Sequence, residues 1–442
     1  MRNILAIMLI GLGLAQFAYS QRNEMPDKSD YYSFGVNFYS SAYSFPSESP
    51  DSMNIVILYR IRYAGLNFVK NTINPSKGHF FATLSTEATL RDAEGIIRRR
   101  LIGADSVYVN SYEETNTKNE FIVNYLTATL PNQTFKASIN VYDKNTQKFQ
   151  KVDYTLEAIK PTTRLGVSQP LFAAQYGPGY SPYIFNNDLP FQYEPTSIII
   201  LADGSGKYDN IHYTIFPVNP SDKKAAPVAK GEFVAVSGNE PVISIDSRNK
   251  ITLLFNLNPK MADRVYAFAA DFDYRKLKEG KYSLNIWKQG RSDTLKDEFS
   301  VVWENRPLSI KNIPYAIDLM RYIMKDEEHD KLNEGDDEEK EQKLFAYWKK
   351  RDPTPDTEYN EAMAEFFRRA DYAHFNYQTL TEQDGAKTDR GRVYIHYGPP
   401  EEITSNLVNG RTHETWLYRK LNKEFSFETV SIGVVRLSEI KQ

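Results

Sequence analysis

From about Tyr31 to Trp303 the chain is a succession of short apolar or alternating segments separated by turns, with no long helical period between them. This recurrence constrains the fold more than any other feature. Short strands bury an apolar face by packing sheet on sheet, so the pattern predicts β-sandwiches. Asn54 to Tyr63 opens as a continuous apolar run and then alternates. Phe80 to Leu90 returns through Arg91-Asp92-Ala93-Glu94-Gly95 into Ile96-Ile97, a hairpin with glycine where a positive φ is tolerated. Phe121 to Leu130, Phe135 to Asp143 and Lys151 to Ile159 continue the series, and Pro161-Thr162-Thr163 reads as a boundary. A second β region follows, with strands at Thr196 to Leu201, His212 to Phe216, Lys250 to Asn256 and Arg264 to Asp273. It closes on Gly280 to Trp287, a turn at Gln289-Gly290-Arg291, and Asp297 to Val302, the way many immunoglobulin-like domains finish. Asp203-Gly204-Ser205-Gly206 lies between strands and opens no helix, so it reads as a turn and not a phosphate loop.

The start of the chain predicts export. Arg2 precedes an apolar run from Ile4 to Leu14 that continues to Ala18, and Ala18-Tyr19-Ser20 gives a small-residue exit before polar Gln21-Arg22-Asn23-Glu24. This is the pattern of a secretory signal peptide over residues 1–20, cleaved after Ser20. The run falls short of the roughly 20 residues that cross a bilayer. Ile198-Ile199-Ile200-Leu201 is far shorter and reads as a buried strand, so no transmembrane segment is expected after signal removal. With no cysteine, the exported protein is held together by core packing alone, and at 442 residues it has chain enough for several cores. A net charge of −3 argues against nucleic-acid binding, which needs a basic surface. Tyrosine (30) outnumbers phenylalanine (25), which suits half-buried strand faces.

The character changes after residue 305. Ile317, Met320, Ile323 and Met324 fall at helical spacing behind Pro314. The acidic stretch 326–341 lacks the spacing of a calcium loop and predicts a solvated loop or helix face. Leu344, Phe345 and Trp348 resume an apolar helix face, which Asp352-Pro353-Thr354-Pro355 must end. Asp356 or Thr357 is placed to cap a second helix whose inner face is Met363, Phe366, Phe367, Ala370 and Ala373. Arg392 to Tyr397, Glu414 to Arg419, Phe425 to Val430 and Val434 to Leu437 alternate and predict short strands. The expected architecture is multidomain: two all-β, immunoglobulin-like sandwich domains over 28–160 and 163–305, followed by an α+β C-terminal domain over 313–442.

Three groups of residues carry a family resemblance. They are Phe345-Ala346-Tyr347-Trp348 with Arg351-Asp352-Pro353-Thr354-Pro355; Asn360; and Asp384-Gly385-Ala386-Lys387-Thr388-Asp389-Arg390-Gly391-Arg392 running to Gly398-Pro399-Pro400, with Glu414-Thr415-Trp416 downstream. In order and spacing they resemble the GWxTD domain, a family of exported proteins chiefly of Bacteroidota in which preceding β domains are usual. The tryptophan of the naming motif is Ala386 here. The resemblance implies export to the periplasm or cell envelope of a Gram-negative bacterium and brings no established enzymatic activity with it. Physically, Gly385 and Gly391 are expected to permit positive φ on either side of Thr388-Asp389. On an extended chain Arg390 and Arg392 would share one side, where Asp389 or Asp352 can pair with them, and where a bidentate fork can hold an anionic group. Arg351, Asp352, Thr388, Asp389, Arg390, Arg392, Tyr394 and Glu401 are the candidate binding residues. Trp348, Pro353, Pro355, Gly385, Gly391, Gly398, Pro399, Pro400 and Trp416 are read as the structural frame.

No catalytic constellation is expected. The histidines 79, 212, 329, 374, 396 and 413 form no H-E-x-x-H pair, although 374, 396 and 413 share the C-terminal domain. There is no G-x-S-x-G elbow, and no metal or cofactor is predicted. Ser52, Ser106 and Thr294 sit in Asp-Ser-Met, Asp-Ser-Val and Asp-Thr-Leu tripeptides that resemble the O-glycosylation acceptor of Bacteroidota. These features together predict a binding, scaffold or accessory component of an envelope assembly, with other envelope proteins or a glycan as partners. The alternative is a carbohydrate-active hydrolase with a carboxylate pair, Asp389 with Glu401 or Glu402.

Overall fold

The computed structural model describes residues 38–115, 117, 120–146, 149–160, 164–191, 196–204, 210–218, 226–290, 292–431 and 433–441. The signal-peptide segment and the Pro161-Thr162-Thr163 boundary lie outside the described residues, as do Ser205, Gly206 and Arg291. The chain is β-rich with its helices mainly in the C-terminal part, and it divides into two compact units. One holds the β regions up to Glu304, together with Thr357–Tyr359; the other holds Asn305–Asp356 and Asn360–Gln442.

Among the described residues of the β unit, four sheets stack on three cores. A three-stranded sheet of Phe38–Pro46, Ser52–Arg62 and Phe121–Pro131 packs one face on a five-stranded sheet that includes Phe80–Arg91, Ile97–Val109 and Phe135–Asp143. Ile55, Ile57, Tyr59, Leu84, Ala88 and Ile139 fill that core. Its other face, through Tyr39, Tyr43, Phe45, Val56 and Leu58, packs on Leu171, Ala173, Ile199 and Leu201 of a seven-stranded sheet. Behind this, Ile198, Ile200 and Ala202 meet Ile215, Leu284 and Ile286 of another five-stranded sheet. Two sheets are thus covered on both faces, which is why Ile55 to Tyr59 and Ile198 to Leu201 are apolar at every position instead of every second one. The polar price of this arrangement is small, because buried serines find partners: Ser40 Oγ lies 2.9 Å from the Tyr154 hydroxyl, and Ser44 Oγ donates to the Glu157 carbonyl at 2.9 Å. The hairpins expected at Gly95 and Gly290 form with φ of 80° and 83° at those residues.

Among its described residues the C-terminal unit has five helices: α1 (Ile313–Met320), α2 (Asp326–Asn333), α3 (Asp337–Lys349), α4 (Glu361–Asn376) and α5 (Asp389–Tyr397). An antiparallel sheet of Glu402–Val408, Arg411–Tyr418, Lys423–Ser431 and Val434–Lys441 completes it. The acidic stretch forms α2 and the first half of α3, with Asp336 capping α3 by accepting from the Glu339 amide at 2.9 Å. The cap of α4 is Asn360, not Asp356 or Thr357. Its Oδ1 accepts from the Met363 amide at 2.8 Å while its Nδ2 donates to the Trp348 carbonyl at 2.8 Å, tying α3 to α4. Met363, Phe366, Phe367, Ala370 and Ala373 are buried as expected, with Trp348 against Phe366 and Phe367.

Candidate functional site

The residues from 392 to 397 are helical, which corrects the expected strand. Thr388 caps α5: its Oγ1 accepts from the Gly391 amide at 3.1 Å and donates to the Gly385 carbonyl at 2.8 Å. Gly398 ends the helix with φ 79° and donates its amide to the Tyr394 carbonyl at 2.8 Å, and Pro399 and Pro400 cannot continue it. Alternation of Val393, Ile395 and Tyr397 suggested a strand, but a Thr cap and a Gly-Pro stop are stronger local instructions over nine residues.

The glycines have a different purpose from the one expected. Neither Gly385 nor Gly391 has a positive φ. Gly385 lies in a single 3-10 turn, Gly385–Lys387, wedged between the end of α4 and the start of α5. A Cβ on Gly385 would lie 2.2 Å from the Ala373 carbonyl oxygen; one on Gly391 would lie 2.0 Å from that of Gly385. The motif therefore lets three stretches of backbone touch. Ala386 is fully buried within the same contact, so the position that carries tryptophan in the naming motif is an interior one here.

Asp384 is the polar hub of this knot. Its Oδ1 accepts from the Ala386 amide at 3.1 Å and from the Tyr315 hydroxyl at 3.0 Å, and lies 2.8 Å from His374 Nδ1. Lys387 Nζ is 3.5 Å from the other oxygen. Burial works to raise the Asp384 carboxyl, but the bonds from His374 and Tyr315 and the charge of Lys387 outweigh it and hold the group below its ordinary value. Burial, reinforced by Asp384, pushes the Tyr315 hydroxyl well up, so it stays a proton donor. A second buried acid, Asp371 on α4, accepts from the Leu308 and Ser309 amides at 2.6 and 3.0 Å. Tyr315 escaped the sequence reading, because nothing marks a tyrosine 69 residues upstream as a partner, and Asp384, at the head of the motif, is not among the candidate binding residues.

The candidate binding residues do not converge. Arg390 Nη1 lies 3.5 Å from Glu414 and its guanidinium sits over the Tyr377 ring, whereas Arg392 sits over Tyr322. On a helix the two arginines diverge, so the bidentate fork expected from an extended chain does not form. Asp389 accepts from the Leu437 amide at 2.9 Å, anchoring α5 to the sheet. Asp352 takes the Thr354 amide at 3.0 Å and Lys349 at 3.3 Å, so neither acid is matched with the arginines as expected. Arg351 stacks on Tyr347 at 3.6 Å, and Lys349 donates to the Pro355 carbonyl within the turn that follows Pro353. Tyr394 stacks on Tyr372 at 4.5 Å and meets Trp416, whose indole is fully buried and donates to Glu414 at 2.6 Å. Glu401 accepts from the Arg419 amide at 2.5 Å. Histidines 374, 396 and 413 have separate neighbours: Asp384, Tyr397 and Glu428. Among the described residues no group of three or more His, Cys, Asp or Glu is arranged for a metal. Ser106 and Thr294 are exposed, while Ser52 is half-buried and 2.6 Å from Ser47.

A pH dependence follows from Asp384. Its folded-state pKa is depressed, so its contribution is fully present above the unfolded value near 3.9 and is lost as pH falls through the lower folded value. Urea unfolding is expected to show wild type losing stability relative to Asp384→Asn as pH drops below about 4, the two curves running parallel at higher pH.

What the sheet exposes differs from what the motif buries. All seven residues of Glu402–Val408 are exposed, including Ile403 at 53%, Leu407 at 75% and Val408 at 47%. The strand stands at the sheet edge and, among the described residues, pairs on one side only, with Arg411–Tyr418.

The family model of the GWxTD domain matches residues 287–432. The C-terminal third of the chain therefore carries this domain, and the match starts inside the last hairpin of the β unit. A comparison with curated proteins returns no match.

Proposed function

We propose that this is an exported component of the bacterial cell envelope that works by binding, its C-terminal domain recognising an extended segment of another envelope protein. The carrying observation is the edge strand Glu402–Val408, which combines an open row of backbone hydrogen-bonding groups with exposed Ile403 and Leu407 on one face. An edge of this kind is a ready template for strand addition by a partner. The chemistry of the motif supports the same reading: Thr388, Asp384, Asp389 and Glu401 spend their oxygens on the protein's own backbone and on neighbouring side chains. Asp389 and Glu401 thus lend no support to the alternative of a hydrolytic carboxylate pair. The β unit fits the role of immunoglobulin-like spacer or adhesion layers over 28–160 and 163–305, since its final strands, Gly280–Lys288 and Thr294–Val302, close as a hairpin on a mixed-aromatic core.

Site-specific photocrosslinkers at Leu407 and, as a control in the same sheet, at Lys423 test this in native cells. One adduct of defined mass from Leu407, with none from Lys423, is expected. Absence of a specific adduct at Leu407, with the protein exported and folded, would overturn the proposal.

A further inference from the structure

At one end of the seam between the three-stranded and seven-stranded sheets lies a cavity of about 250 Å³, wholly within the β unit. Its walls are largely apolar, with Phe121, Val123, Ala174, Ile184 and Ile251 among them, and its charged groups are Arg60, Lys250 and Glu304. Glu304 serves two guanidiniums at once: Arg60 at 3.1 Å and Arg62, which is 3% exposed, at 2.6 Å. Arg60 is held flat between aromatic rings, 4.5 Å from the centroids of both Tyr39 and Phe121. Among the described residues the hydrogen bonding of its guanidinium is confined to the Nη2 contact with Glu304, and its Nε is buried without a partner. Of the charged residues that line the recess, Arg60 and Lys250 are cations and Glu304 is the carboxylate, which leaves one positive charge in surplus among the described lining residues.

From this geometry we infer that the cavity binds a small amphipathic monocarboxylate, an apolar body carrying one carboxylate that docks on Arg60. A planar carboxylate matches the edge of a guanidinium whose faces are already covered. A single negative charge balances the surplus, whereas phosphate brings a second charge and a hydration shell that apolar walls cannot replace. The volume suits a chain of a few carbons and sits just below the usual range for ligand pockets. This inference rests on the β unit and is independent of the binding edge proposed for the C-terminal domain.

Calorimetric titration of the mature full-length protein with hexanoate, 1-hexanol and inorganic phosphate tests it. Hexanoate is expected to bind about tenfold or more tightly than hexanol, the ratio given by a charge-assisted hydrogen bond, and phosphate is expected not to compete. Arg60→Gln should bring hexanoate down to the level of hexanol. Val123→Trp, which fills the recess from the position directly across the strand pair from Arg60 and keeps Arg60, Arg62 and Glu304 in place in the sequence, should abolish binding of both while thermal unfolding shows a folded protein. Equal binding of acid and alcohol, phosphate binding more tightly than hexanoate, hexanoate binding unchanged by Val123→Trp, or no hexanoate binding by the folded wild type would each overturn the proposal.

Discussion

Replacing Gly391 with valine is expected to cost the C-terminal unit about 4 kcal/mol, at the severe end for a single substitution. The first atom added would lie 2.0 Å from the Gly385 carbonyl oxygen and 2.9 Å from the Ala386 Cα. Both neighbours are backbone, so no rotamer change relieves the contact. The same carbonyl accepts the Thr388 hydroxyl at 2.8 Å and the Thr388 amide at 3.2 Å. Moving it therefore unseats the cap of α5 as well. Gly410→Ala in the exposed hairpin separates the two reasons a protein keeps glycine. Gly410 has φ 77° and open space around its Cα, so alanine there should cost only about 1–2 kcal/mol, the strain of a left-handed backbone. Urea unfolding of the two variants measures both. A Gly391 variant as stable as the Gly410 variant would show that the turn between α4 and α5 is not the tight junction described.

The contrast shows which parts of this fold are legible in sequence. Burial was legible where it is expressed along one strand. Ile55 to Tyr59 and Ile198 to Leu201 are apolar without alternation, and each belongs to a sheet covered on both faces. What covers the second face was not legible, because periodicity reports that a side chain is buried and not what it is buried against. The pattern suggested two sandwiches, whereas Tyr39, Tyr43 and Phe45 join the β regions through a further core with Ile199 and Leu201. The serines of Phe38–Pro46 obscured this, since a strand reading Phe-Tyr-Ser-Ser-Ala-Tyr-Ser-Phe-Pro looks half solvated, yet Ser40, Ser41 and Ser44 are fully buried.

At the motif the periodicity itself misled. Arg392 to Tyr397 alternates well enough to suggest a strand, and the glycines on either side suggested turns. The helix that forms there is fixed by Thr388 at its start, by Gly398-Pro399-Pro400 at its end, and by Asp389 bonding the sheet at Leu437. Start and stop residues carried the information, and an alternation over Arg392 to Tyr397 was too short to overrule them. The Asp384, His374 and Tyr315 cluster needed three-dimensional structure outright, since Tyr315 comes from α1, His374 from α4 and Asp384 from the segment that joins α4 to α5.

Glu304→Ala is the substitution expected to damage the β unit most, by about 3–5 kcal/mol, because it removes the carboxylate shared by two buried or half-buried guanidiniums. Arg62 is 3% exposed and Arg60 is pinned between Tyr39 and Phe121, so neither can swing into water without opening the seam between sheets. The loss comes from stranding charge and not from the worth of the pair, so its size depends on what else can reach the site. Glu304→Gln keeps an acceptor but not the charge and should fall between wild type and alanine. The cavity beside Arg60 gives a sharper expectation. A small carboxylate such as acetate should restore thermal stability to Glu304→Ala more than chloride does at equal ionic strength, and by a wider margin than in wild type, where Glu304 already occupies part of the arginine pair. If the alanine variant melts like wild type, Glu304 does not hold the arginines in place. If it melts lower but acetate and chloride act equally, the ion pair is structural and the recess does not admit a carboxylate to it.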